Sequence, residues 1–186
     1  MPRAGLTAED VVTAAADIAD ETGYDNLTMS LVAERLGIRS PSLYRHIDGL
    51  ADLRHRIATL AITELGEATR DAMLGTAGPD ALAAFARAFR SYVLAHPGRY
   101  TATIGAEFTG PEDPLFKASA RLLDSIAAVL RGYGIAADEM DHALRAIRST
   151  FHGFAALQAA NGFQWSADLD ESFDWMIHFV DRGLRR

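Results

Sequence analysis

Apolar residues along this chain recur at intervals of three and four, and no stretch keeps the strict alternation of a half-buried strand. The pattern predicts an all-α protein of about nine helices. Val11, Ala15, Ile18 and Ala19 mark the inward face of a first helix, opened by Thr7 with Glu9 and Asp10 in its first turn and closed by Gly23. Tyr24 and Leu27 are placed to pack beneath the next two helices, as the hub of a three-helix domain. Thr28 suits the N-cap of a short second helix, because its hydroxyl accepts an orphan backbone N–H. Leu31, Val32 and Leu36 supply the apolar face there, and Gly37 stands where a left-handed stop belongs, with Ile38 packing back onto Val32 and Ala33. A third helix follows at once, with Ser40 as N-cap, Pro41 at the first helical position, and Leu43 and Ile47 toward the core.

The fourth helix is the long one. Asp48 is its expected cap, and Leu50, Leu53, Ile57, Leu60, Ala61, Leu65 and Ala68 keep helical spacing to about Met73. Such a helix spans roughly 35 Å, enough to belong to two halves of a molecule and to link them mechanically. Residues 75–79 break the pattern. A fifth helix over 79–95 carries Leu82, Phe85, Phe89, Tyr92 and Val93, and His96-Pro97-Gly98 reads as its stop. A short sixth helix is expected over 99–107, a loop over 108–114, and a seventh helix over 114–132 with Leu115, Phe116, Leu122, Leu123, Ile126, Val129 and Leu130 inward. Asp138 is the expected cap of an eighth helix to about Ala160, and Asp168 with Glu171 opens a last one to about Arg185. The domain reading is 1–49 for the three-helix head and 50–186 for a larger helical domain.

Composition narrows the possible functions. Among 186 residues, 49% are hydrophobic and none is cysteine, which leaves room for a real core and excludes disulfides, thiol chemistry and Cys-ligated zinc. There is no charged-then-apolar leader and no apolar run near the ~18 residues of a membrane span, so the expected location is the cytoplasm, without membrane contact. The net charge of −7 runs against a polyanionic partner, but it is unevenly spread. Between residues 35 and 56, Arg35, Arg39, Arg45, Arg54 and Arg56 stand against Asp48 and Asp52.

Two short helices joined by a Gly-containing turn form the helix-turn-helix pattern, whose second helix enters the DNA major groove. The outward residues suit such a role, with Arg39, Ser40, Pro41 and Tyr44 for bases, Thr28, Ser42 and His46 for phosphate, and Arg45 beside them. An ordinary αα-hairpin with a solvated face is the competing reading, and an exposed Tyr beside Arg and His argues against it. The stretch from Thr28 through Val32-Ala33-Glu34-Arg35-Leu36-Gly37-Ile38 to Leu43-Tyr44-Arg45-His46-Ile47, behind an alanine-rich first helix over 12–19, resembles the DNA-binding region of TetR-family transcriptional regulators. One departure is that Asp48-Gly49-Leu50 stands where family members usually carry a phosphate-contacting Lys, and neither Arg54 nor Arg56 is an evident replacement. The run Phe151-His152-Gly153-Phe154 resembles the Trp-His-Gly element of one C-terminal domain subtype of that family, with Phe in place of Trp.

No catalytic constellation, cofactor motif or metal set stands out, so no enzyme activity is expected. The run 138–142 has metal-type residues, but capping and dipole-favoured acids account for it. His178 beside Asp174 and Asp181 reads as surface pairing. Phe85, Phe89, Tyr92, Tyr100, Phe108, Phe116, Phe151 and Phe154 read singly as core. With Arg148 and His152 they also have the composition of a mostly apolar ligand cavity, and the resemblance implies an effector site of that kind. On the last helix Phe173, Ile177, Val180 and Leu184 make one apolar stripe, and Trp175, Met176 and Phe179 a second. Two stripes call for two partners, and the inference is a homodimer through the last two helices. The functional expectation is a regulator, a repressor released from a palindromic operator by a small-molecule effector. The alternative is a helical ligand-binding protein with vestigial DNA binding. A short N-terminal arm carrying Arg3 is a further candidate for minor-groove contact.

Overall fold

The computed structural model describes residues 5–185; Arg3 and Arg186 lie outside the described residues. Among them the structure is helical throughout, with α1 Ala8–Thr22, a 3-10 turn Tyr24–Asn26, α2 Met29–Leu36, α3 Ser40–Leu43, α4 Leu50–Met73, α5 Gly78–Ala95, α6 Pro97–Ala102, α7 Pro114–Gly132, α8 Met140–Ala159 and α9 Leu169–Leu184. The chain divides into two compact units. Residues 5–62 join with 96–117, and 63–95 join with 118–185, so the division falls inside α4 rather than ahead of it at residue 49.

The first unit is the three-helix head with α6 added. Val11, Ala15, Ala16, Leu27, Val32, Leu43, Ile47, Leu53 and Ile57 are buried together in its core. Thr7 forms a full capping box with Asp10, whose carboxyl is held below its usual range by the Thr7 hydroxyl. α6 packs on α1 with almost no space between the backbones. A Cβ on Gly98 would lie 2.0 Å from the Ala19 carbonyl oxygen. Asp20 accepts the Arg99 backbone N–H at 2.8 Å, with Arg99 Nε at 2.9 Å and His96 Nδ1 at 3.0 Å. Arg99 also pairs with Asp17. The expected stop at His96-Pro97-Gly98 holds, since α5 ends at Ala95, and Pro97 also opens α6, its missing N–H being one the first turn does not need. α6 then ends at Ala102, well short of 107.

Two other caps differ from expectation. α4 is not capped by the Asp48 side chain. Asp52, one turn on, accepts the Asp48 backbone N–H at 2.9 Å, and Gly49, at φ +96°, gives its carbonyl to Leu53. Burial pushes the Asp52 carboxyl up, but the Arg56 and Asp48 donors outweigh it and hold it low. At α8 the N-cap position is Glu139, without a side-chain capping hydrogen bond, so Asp138 does not cap it. Asp168 does cap α9, accepting from the Asp170 and Glu171 N–H groups at 2.8 and 2.9 Å.

The second unit is built on rings. Phe85, Phe89, Phe151 and Phe173 are buried, with Phe85 6.1 Å from Phe89, 6.3 Å from Phe151, and Phe151 6.1 Å from Phe173, centroid to centroid. Each such ring buries a large apolar area and adds edge or offset contacts to it. Arg90 spans the Phe154 and Phe173 faces while pairing with Asp170 at 2.7 Å. Tyr133 donates to Asp181 at 2.7 Å, and burial with that bond pushes the phenol well above its usual pKa. α7 buries less of its apolar arc than its spacing implies, since Leu123 and Phe116 are exposed.

Candidate nucleic-acid interface

The head is organised by its turn. The Thr28 hydroxyl accepts the Leu31 N–H at 3.3 Å and starts α2. Gly37 ends it at φ +66°, ψ +30°, a conformation glycine adopts without a Cβ penalty. The Ile38 N–H then reaches back to the Ala33 carbonyl at 3.0 Å, which reverses the chain in the pattern of a Schellman stop. Arg35 is not part of the outward set. It grips Glu21 of α1 with both guanidinium nitrogens, at 3.2 and 2.5 Å, and the pairing holds the Glu21 carboxyl low.

The third helix is shorter than its sequence implies. α3 covers only Ser40–Leu43, its N-cap is Arg39 rather than Ser40, and turns carry the chain through 44–46. The His46 and Ile47 N–H groups both donate to the Leu43 carbonyl, at 2.8 and 3.1 Å, so the segment still completes one compact coil. Leu43 and Ile47 are buried and anchor it. Arg39, Pro41, Tyr44 and Arg45 are exposed, Tyr44 at 58%, while Ser40, Ser42 and His46 are half-buried and Thr28 is exposed. The residues expected to read DNA are thus all at least partly open to solvent. They offer guanidinium forks, hydroxyls and a phenol over a rigid base, the donor types that suit phosphate oxygens and purine edges. Arg56 is committed to Asp52 at 2.9 and 3.0 Å, and Arg54 lies over the Tyr24 ring.

The expected effector residues separate. Phe85, Phe89, Tyr92, Arg148, Phe151, His152 and Phe154 lie in the second unit; Tyr100, Phe108 and Phe116 lie in the first. Of the latter, Tyr100 is buried, and Phe108 meets Phe116 edge-on at 5.4 Å with both rings exposed. In the second unit Phe85, Phe89, Tyr92 and Phe151 are core; His152 and Phe154 are half-buried and Arg148 is exposed. Burial and then Arg148 push the His152 pKa down, which favours a neutral ring. His178 is not paired with the carboxylates expected for it. Its Nδ1 lies 2.7 Å from the Asp174 carbonyl oxygen, while the Asp174 carboxylate holds Arg87 and Asp181 holds Tyr133 and Arg185. On the outer side of α9, Trp175 and Phe179 are 64% and 58% exposed and stack on each other, centroids 5.6 Å apart and planes 10° apart. Among the described residues no cluster of metal-type side chains is present and no helix is long and apolar enough to cross a membrane.

Sequence reasoning missed the cluster of Asp17, Asp20, His96 and Arg99. Asp17 and Asp20 look like ordinary solvated acids of α1, and only the fold brings Arg99 to them.

A capped, glycine-turned helix pair with a polar outward face on a bundle head defines a helix-turn-helix DNA-binding regulator. Residues 11–56 match the family model described as bacterial regulatory proteins, tetR family, and residues 82–180 match the tetracyclin repressor-like C-terminal domain. An uncharacterized HTH-type transcriptional regulator of Mycobacterium tuberculosis is 34% identical over 184 residues, covering 98% of this chain and 84% of its own length. Among solved structures, a TetR variant of Acinetobacter baumannii AYE in complex with minocycline is 24% identical at a TM-score of 0.73, covering 96% of both chains. BioQ with its natural double-stranded DNA operator is 21% identical at a TM-score of 0.68, covering 97% of this chain and 98% of that one. These likenesses confirm the fold. The chain belongs to the TetR family of transcriptional regulators.

Proposed function

We propose that this regulator acts as a cytoplasmic, non-enzymatic homodimer that binds a palindromic operator and is released from it by a small-molecule effector. The observation that carries the operator reading is the exposed set Arg39, Pro41, Tyr44 and Arg45 on a coil anchored by buried Leu43 and Ile47. Arg39, Ser40, Pro41 and Tyr44 face the bases, and Thr28, Ser42, Arg45 and His46 the phosphates. BioQ, a protein of the same fold, is described with an operator duplex. The stacked Trp175–Phe179 pair, with Leu157 exposed on α8, supports a symmetric interface through α8 and α9. Two heads about 34–36 Å apart then meet successive major grooves.

The effector reading rests on the ring system of the second unit around His152 and Phe154, where Arg90 supplies a cation and Gln158, 2.7 Å from Arg90, an amide. The comparison protein from Acinetobacter carries minocycline, and this chain's ring system suits a planar or apolar ligand in the same general sense. An effector acts only by its different affinity for two arrangements of the protein. α6 is a second route for that difference beside α4, because its Gly98 and Arg99 are locked to α1 of the head. Selection of bound sequences from a random duplex pool at moderate salt tests the reading. A palindromic consensus supports it. No enrichment, even at low salt, removes it in favour of a ligand-binding protein with a vestigial head.

A further inference from the structure

The first unit contains a cleft of about 300 Å³ that the reading face does not use. Ala51, Arg54 and His55 of α4 form one wall, Tyr24 another, and the stretch from Ala102 to Glu107 a third. The volume is at the small end of ligand cavities, enough for one ring or a short chain.

Arg54 is the group in it that the fold leaves unexplained. Its guanidinium carbon is 5.1 Å from the Tyr24 ring centroid, and its Nε is out of solvent with no hydrogen-bond partner among the described residues. A buried donor on a cation without an acceptor is among the costlier defects a fold tolerates. The neighbouring acids do not relieve it. Asp52 is committed to Arg56 and the Asp48 N–H, and Asp113 to His55 at 3.0 Å and to the backbone of Thr109 and Leu115. Glu107 lines the same cleft, exposed to solvent, and forms no ion pair with Arg54. An acceptor supplied from outside the chain completes the site.

The character of that acceptor follows from the lining. Ala51, Ala102, Ile104 and Ala106 present apolar surface, so the ligand carries an apolar body. One free guanidinium fork matches one carboxylate. The lining offers no second fixed cation, since His55 is tied to Asp113, and Glu107 opposes a dianion. We propose that this cleft binds a small organic monocarboxylate, its oxygens on Arg54 and its body against Ala51, Ala102, Ile104 and Ala106. The site is separate from the ring system of the second unit and does not rest on the operator or effector reading. Its ligand ties α4 to the stretch after α6 within the head unit and stabilises that unit by mass action.

Benzoate and inorganic phosphate are the probes. The full-length protein is titrated with each while the arginine Nε–H region of the nitrogen–proton correlation spectrum is followed. With benzoate the Arg54 Nε–H resonance shifts and saturates, and phosphate binds more weakly. Arg54→Met weakens benzoate about tenfold or more, the loss of a charge-assisted bidentate contact. Glu107→Gln tightens it by a few fold. Ala51→Leu fills the cleft and abolishes saturation while keeping Arg54, and it decides the matter should Arg54→Met not fold. A shift that stays linear across the benzoate titration overturns the proposal. So does saturation unchanged by Ala51→Leu, and tighter phosphate binding overturns the carboxylate assignment.

Discussion

On α3 and its flanks the side chains left to solvent include Arg39, Pro41, Tyr44 and Arg45; on α9 they include Trp175 and Phe179, with Glu171, His178 and Arg182 beside them. Both surfaces sit over a well-anchored backbone, Leu43 and Ile47 in one case and Phe173 and Ile177 in the other. Their chemistry differs. The first presents cations and hydroxyls on a chain whose net charge is −7, so its partner is one that rewards local positive charge. The second presents two stacked rings, which cost free energy in water and match another apolar surface. The contrast teaches that exposure alone does not mark a site. The kind of atom exposed says which partner removes it from water.

The largest effect is expected where the head unit admits no extra atom. Gly98→Ala sets a Cβ 2.0 Å from the Ala19 carbonyl, against backbone that cannot turn away. α6 must lift from α1, with a loss of about 3 kcal/mol or more in urea unfolding. Gly153→Ala is the matched control in the second unit, since nothing lies within 4 Å of its Cβ position. Inside α8 it should be neutral or gain up to about 1 kcal/mol. Equal losses in both variants would show that the close approach at Gly98 is not what matters.

Next comes the apolar surface. Trp175→Ala with Phe179→Ala should leave the helical circular dichroism unchanged and weaken self-association about a hundredfold or more, by sedimentation at several concentrations. Operator affinity falls with it, because each head alone reads only a half-site. If the double variant stays dimeric at the wild-type concentration, the stacked pair belongs to some other contact. On the polar surface, Arg39→Ala should cost about 1–3 kcal/mol of operator binding and relax the preference at one base position. Arg45→Ala should weaken all sequences alike and reduce the salt slope by about one. An unchanged site preference in Arg39→Ala removes that residue from the base-reading set.

What the chain discloses before folding divides along the same line as these variants. Features settled within a few residues are legible: the Thr7 and Thr28 caps, the Gly37 stop, the bounds of α7 and the two apolar stripes of α9. Contacts between distant residues are not. Gly98 reads as a helix breaker in isolation, and only the crossing of α6 over α1 reveals why a side chain cannot stand there. Arg54 reads as one of several basic residues near the head until Tyr24, thirty positions earlier, is brought beneath it. α3 falls short of its apparent length for a related reason. Ser42 to Ile47 have no helix breaker among them, but the segment closes on the Leu43 carbonyl twice and then meets Gly49 at positive φ. Arg39, Pro41, Tyr44 and Arg45 are still exposed, and Leu43 and Ile47 are still the buried anchors.

The smallest expected effect is on acid stability, and it again separates the units. Asp113 is buried in the first unit and accepts the Thr109 N–H at 2.8 Å, the Leu115 N–H at 2.8 Å and the Thr109 hydroxyl at 3.1 Å, with His55 Nε2 at 3.0 Å. The Thr109 backbone donor foremost, with those of Leu115 and His55, holds its carboxyl far below the usual range despite its burial. A folded pKa below the unfolded one means that the stabilisation is fully present above the unfolded value of about 3.9. It is lost progressively as pH falls below that value toward the folded one, because protonation removes the negative charge that these donors stabilise. Asp113→Asn should therefore lower stability at neutral pH and flatten the acid limb between about pH 4 and pH 2 in urea melts read at fixed temperature. His152 in the second unit is the opposite kind of group with the same sign. Its folded pKa is depressed, so the unfolded chain takes up the proton first, and stability falls as pH drops below about 6.5. His152→Gln should remove that shallower slope and leave the acid limb in place, whereas Asp113→Asn should do the reverse. A variant that alters both limbs would mean that the two groups do not contribute independently.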